Sequence, residues 1–89
     1  MPKRGPRTLK KTRDRKALLD LLRSVRTEAG LRQEDMAQAL GKGQAYVSKY
    51  EHGDRRLDLL ELISICDVVG ISLRDFAVRF EKLRQKAAE

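Results

Sequence analysis

The sequence predicts an all-α protein of five helices joined by short connections. Two observations carry that expectation. Apolar residues recur at helical spacing in five successive stretches, whereas no stretch alternates with a period of two. The connections are marked by Gly30, Gly41, Gly53 and Gly70, residues suited to close a helix in the left-handed conformation. At 89 residues there is room for one domain and one modest core.

Each element has its own signal. From about Asp14, Leu18, Leu22, Val25 and Ala29 form one apolar stripe that ends at Gly30. A second helix is expected over Gln33–Leu40, with Met36, Ala37 and Leu40 facing inward. A third covers Gln44–His52, buries Val47 and Tyr50, and stops at Gly53. The fourth opens on Asp58 as N-cap with Glu61 three residues on, and Leu57 and Leu62 sit where a hydrophobic staple would place them. It continues through Ile63, Cys66 and Val69. The fifth begins at Ser72, repeats the cap pattern with Asp75, and carries Leu73, Phe76, Ala77, Phe80 and Leu83 on its stripe.

The net charge of +7 is confined to one end. Residues 1–16 hold eight basic side chains against the single acid Asp14, and the remainder balances at twelve of each sign. Residues 1–13, with Pro2, Gly5 and Pro6 and little to bury, read as a disordered basic arm ahead of a domain spanning residues 14–89. Such an arm either solubilises the protein or seeks a polyanion.

Several chemistries are excluded by residue supply. One histidine and one cysteine cannot build a zinc site, and no metal or cofactor is expected. Gly41-Lys42-Gly43 lacks the spacing of a phosphate-binding loop, so an enzyme is not expected. No apolar run is long enough to span a membrane, and the lone Cys66 suits a reducing compartment, so a cytoplasmic protein is expected.

The segment QEDMAQALGKGQAYVSKYEHG, residues 33–53, carries the functional signal. Two helices joined by only three residues must cross steeply, because the chain has no length in which to run back antiparallel. Ala37 supplies the small side chain that a close crossing needs, and Gly41 the left-handed turn residue. With Val47 and Tyr50 plugged inward, Ala45, Ser48, Lys49 and His52 project outward and Gln44 stands at the tip. That face is small, amide- and hydroxyl-bearing or basic, where an ordinary solvated face in so charged a chain would mix Glu with Lys.

Residues 21–80 resemble the Cro/C1-type (XRE-like) helix-turn-helix domains of phage and bacterial transcriptional regulators. The resemblance rests on LRSVRTEAGLRQEDMAQALG and YVSKYEHGDRRLDLLELISICDVVGISLRDF, and it covers about two-thirds of the chain. It implies a lambda-repressor-like five-helix fold and a sequence-specific, double-stranded DNA-binding function, with repression as the expected outcome. It also implies that Gln33 opens the first motif helix and contacts phosphate, that residues from Gln44 to Lys49 begin the recognition helix, and that Arg26 and Glu51 form a buried ion pair. The chain departs from the family pattern at Arg32 and Gly43, where a capping Ser or Thr is common, and at Lys42, which replaces an apolar residue.

Base-edge chemistry agrees with that reading. Gln44 can bond an adenine edge through both amide groups, Ala45 can meet a thymine methyl, and Lys49 can donate to guanine; Ser48 is a less selective candidate. Arg32, Gln33, Lys42, Tyr46, His52, Arg55 and Arg56 are candidates for the phosphate backbone. Tyr46 could equally be a packing residue, and Arg55 and Arg56 a plain solvated pair. One reading head covers few base pairs, so a homodimer is expected, with Phe80 and Leu83 lying exposed beyond the core as its contact. The alternative is that Phe80 folds back onto the first helix. A protein-interaction adaptor or an antitoxin component on the same fold is the rival reading.

Overall fold

The computed structural model describes the backbone of residues 7–88 and the side chains of residues 12–87. Among these residues there are five helices and no strand: α1 (Arg7–Glu28), α2 (Gln33–Leu40), α3 (Gln44–His52), α4 (Leu59–Val69) and α5 (Leu73–Ala88). The bounds of α2 to α5 follow the expected ones. Their caps explain why: Asp58 Oδ1 accepts from Glu61 N–H at 2.7 Å, and Ser72 Oγ accepts from Asp75 N–H at 2.9 Å.

The first helix differs from expectation. It starts at Arg7, ahead of Asp14. Between Pro6 and Gly30 there is no helix-breaking residue, so helix propensity is uninterrupted there despite the local charge. Of the expected arm, residues 1–6 lie outside the described residues, and residues 7–13 belong to the first turns of α1.

The core is aliphatic with two aromatics. Leu21, Leu22 and Val25 of α1 meet Met36 and Ala37 of α2, Val47 and Tyr50 of α3, Ile65 and Cys66 of α4, and Phe76 of α5. Three expected members are outside it, the first being Ile63, which is half-buried but makes no part of the cluster. Ala29 is exposed, because α1 ends at Glu28 and the stripe has no helix beneath its last position. Ala77 is exposed because Phe76, not its neighbour, takes the inward position.

Phe80 and Leu83 are partly buried and pack against the core. Both are thus less exposed than the expected dimer contact assumed. The last turns of α5 lie against the part of α1 that follows Asp14, where Leu83 lines one cleft with Lys16, Ala17 and Asp20. Ion pairs join the two helices at both ends: Arg79 bonds Glu28 through two oxygens at 2.9 Å each, and Arg84 lies 3.3 Å from Asp14.

Candidate nucleic-acid interface

The site begins at the turn between α2 and α3. Gly41 has φ +72° and closes α2, its N–H donating to Gln38 O at 3.1 Å, and Lys42 N–H follows with a 2.8 Å bond to Ala37 O. Gly43 is extended and stands as the N-cap of α3 with no side chain to offer. Val47 and Tyr50 are then buried against the body, which fixes the rotation of α3 about its axis.

Glu51 anchors the same face. Its carboxylate is almost fully buried and receives a bidentate guanidinium, Arg26 Nε to Oε2 at 2.6 Å and Arg26 Nη2 to Oε1 at 3.0 Å. Arg26 Nη1 also donates to Leu31 O at 2.9 Å, and the bonds to Glu51 raise the guanidinium pKa. Gln33 adds an Nε2 donation to Glu51 Oε1 at 3.1 Å. The ion pair implied by the resemblance is thus present. Gln33, expected at phosphate, has one amide hydrogen committed to it and one left.

The outer face of α3 is as the helical projection places it. Gln44, Ala45, Ser48, Lys49 and His52 are all exposed. Among the described residues, none of their side chains makes a hydrogen bond or an ion pair. The remaining candidates are more engaged. Arg32 holds Glu34 at 2.9 Å and Asp35 at 3.1 Å. A guanidinium cannot accept a bond from the helix, so α2 keeps only the return half of a capping box, in which Asp35 accepts from Arg32 N–H at 3.0 Å.

Tyr46 is half-buried, and its hydroxyl donates to Glu61 Oε2 at 3.2 Å. Burial first, and the Glu61 carboxylate second, hold the phenol in its protonated form by raising its pKa. The ring meets Tyr50 edge-on at 5.5 Å and lies under two cations, Arg55 at 4.7 Å and Lys42 at 5.3 Å from its centroid. Arg55 in turn grips Glu61 with two bonds, of 2.7 and 3.2 Å. Those bonds, with a donation from Asp58 N–H at 2.9 Å, lower the Glu61 pKa to about 2. Arg56 is exposed with no side-chain partner among the described residues.

Sequence reasoning found Glu61 only as the return half of a cap. It missed that the same carboxylate clasps the first turn of α3 to the first turn of α4 through Tyr46 and Arg55. The sole signal for it was the proximity of two basic residues to an acid across a short loop.

The helix-turn-helix family profile matches residues 22–76. An XRE-family-like protein from Pseudomonas syringae pv. tomato has a structure similar to this one, with 36% identity and a TM-score of 0.76 over 86% of this chain and 93% of that one. Two structures of the clp gene regulator ClgR from Corynebacterium glutamicum are also similar. One has 28% identity and a TM-score of 0.70 over 80% of this chain and 91% of that one. The other has 29% identity and a TM-score of 0.72 over 84% and 81%. No curated protein matches the chain. The fold, the motif at residues 33–52 and these likenesses agree: the chain belongs to the Cro/C1-type (XRE) family of helix-turn-helix DNA-binding transcriptional regulators.

Proposed function

We propose that this regulator reads a specific double-stranded DNA sequence by laying α3 in the major groove and that it represses by occupying its site. One observation carries the reading: Gln44, Ala45, Ser48 and Lys49 form an exposed face whose side chains have no partner among the described residues. The opposite face is clamped by Val47, Tyr50 and the Arg26–Glu51 pair, so the outward groups are presented without freedom to rotate away. Base contacts are assigned to Gln44, Ala45, Ser48 and Lys49. Phosphate contacts are assigned to Gln33 through its second amide hydrogen, to Lys42, and to His52 at the helix end. Arg32, Tyr46 and Arg55 serve phosphate only to the extent that they remain bonded to Asp35 and Glu61 while doing so. A helix filling the groove excludes other proteins from the same base pairs, which supports repression by occupancy.

Selection of bound sequences from a random duplex pool tests this. The expected result is an enriched motif, bound with steep dependence on salt. Recovery of no motif, with binding that does not respond to salt, would favour an adaptor or antitoxin role on the same fold.

A further inference from the structure

The Glu61 carboxylate holds more donors than a helix cap requires. It closes the capping box by accepting from Asp58 N–H at 2.9 Å. Three further bonds reach its two oxygens, from Arg55 Nη1 at 3.2 Å, Arg55 Nη2 at 2.7 Å and the Tyr46 hydroxyl at 3.2 Å. Arg55 is fixed by those bonds but not used up. Nη1 gives its hydrogens to Glu61 and to Arg56 O, which leaves one hydrogen on Nη2 and the one on Nε. Tyr46 is half-buried on the flank of α3, between the reading face and the core face. Its ring carries Arg55, 4.7 Å from the centroid, and Lys42, at 5.3 Å. The Lys42 ammonium has no hydrogen bond or ion pair among the described residues. Two cations with donors to spare are thus held at one ring, beside the first turn of α3.

We propose that Glu61 is a positioning residue for DNA binding: through Arg55 and Tyr46 it holds two cations ready for the phosphates that flank the groove entered by α3. This role rests on the DNA-reading proposal and deepens it. Two effects of Glu61 oppose each other. A carboxylate beside a polyanion repels it, and an unpaired Arg55 would bring a larger net positive charge to the interface. Charge alone therefore makes Glu61 a handicap, and its removal a gain. Order works the other way. A guanidinium already immobilised by Glu61 and the Tyr46 ring has little freedom left to lose when a phosphate arrives, whereas a mobile one loses it on binding. At physiological salt the screening length of about 8 Å weakens the charge effect and leaves the ordering effect untouched. Order should then prevail, so an acid at this edge strengthens binding to a polyanion.

Affinity of the full chain for the selected duplex, over a range of salt, is compared for wild type, Glu61→Gln, Arg55→Ala and the double variant, at a temperature where melting shows all four folded. Glu61→Gln keeps an oxygen for Asp58 N–H but loses the charge and one acceptor of the guanidinium fork. The expected result for Glu61→Gln at physiological salt is binding about threefold to tenfold weaker, with the preferred base sequence unchanged. The double variant should be no weaker than Arg55→Ala alone, because Glu61 acts through Arg55. Without DNA, NMR relaxation of the Arg55 Nε–H should show an ordered side chain in wild type and a mobile one in Glu61→Gln. Tighter binding by Glu61→Gln, with a steeper salt slope, overturns the positioning role, and so does the unchanged affinity that a merely structural carboxylate would give. Losses that add in the double variant, or equal Arg55 mobility in the two proteins, overturn the route through Arg55. All of these leave the DNA reading intact. Wild type that binds no duplex in a salt-dependent way overturns the DNA reading, and the role of Glu61 falls with it.

Discussion

At the scale of single residues, most of the energy around α3 sits in two carboxylates with opposite surroundings. Glu51 is buried, so truncating its partner leaves an uncompensated charge. Arg26→Ala should destabilise by about 3 kcal/mol, the low end for a buried pair because Gln33 still donates to Glu51 and Arg23 lies 4.0 Å away. Denaturant melting checks this, and a loss no larger than that of an exposed alanine substitution would contradict it. Glu61 is the exposed-side counterpart. Its folded pKa of about 2 lies below the ordinary carboxylate value, so the stability it contributes is complete above about pH 4.3 and is lost as pH falls towards 2. Glu61→Gln should therefore flatten the acid limb of the stability curve between those values, and an unchanged limb would place the acid-labile group elsewhere. The outward residues answer to a different assay. Lys49→Ala and Gln44→Ala should each cost about 1–3 kcal/mol at one base pair and relax preference there, whereas uniform weakening of every duplex would remove them from the base-reading set. Their exposure was legible in the sequence because it depends only on helical period and on Val47 and Tyr50 facing inward. The engagement of Arg32, Tyr46 and Arg55 was not fully legible. The Tyr46 and Arg55 bonds depend on how the 53–58 loop folds, which no local pattern encodes.

At the scale of elements, local chemistry decides the boundaries and tertiary packing decides the lengths. The caps at Asp58 and Ser72 and the left-handed Gly41 are read from a few neighbouring residues, which is why α2 to α5 fall where the pattern puts them. The start of α1 is different. Pro2, Gly5, Pro6 and a lack of residues to bury suggested an arm through residue 13, yet past Pro6 no residue breaks a helix and α1 begins at Arg7. The two glycines that close the motif helices separate backbone strain from crowding. At Gly41 an added Cβ meets nothing within 4 Å, so Gly41→Ala should cost only the left-handed penalty of about 1–2 kcal/mol. At Gly53, with φ +93°, the Cβ would sit 3.1 Å from Leu19 Cδ1, and the carbonyl already accepts a bond from Arg15. Gly53→Ala should be the more damaging of the two in thermal melts; equal losses would mean that Leu19 yields without cost.

At the scale of the whole molecule, charge and fold are divided between different parts of the chain. The charge excess lies in residues 1–16, while the rest of the chain is balanced and holds the α3 face proposed to read bases. Attraction to DNA and discrimination between sequences should then be separable by truncation. Removing residues 1–6 deletes Lys3 and Arg4 and leaves the described length of α1 whole. Removing residues 1–13 also deletes Arg7, Lys10, Lys11 and Arg13 and shortens α1, but it spares Asp14 and its ion pair with Arg84. Each phosphate that the shortened protein no longer neutralises should reduce the slope of log affinity against log salt by about 0.9. The two truncations should therefore flatten the slope in steps, while the preferred base sequence stays that of the full chain. A slope unchanged by both would make the basic segment a solubilising one. A changed sequence preference would mean that the segment reads bases itself, and the division of labour between the N-terminus and α3 would fall.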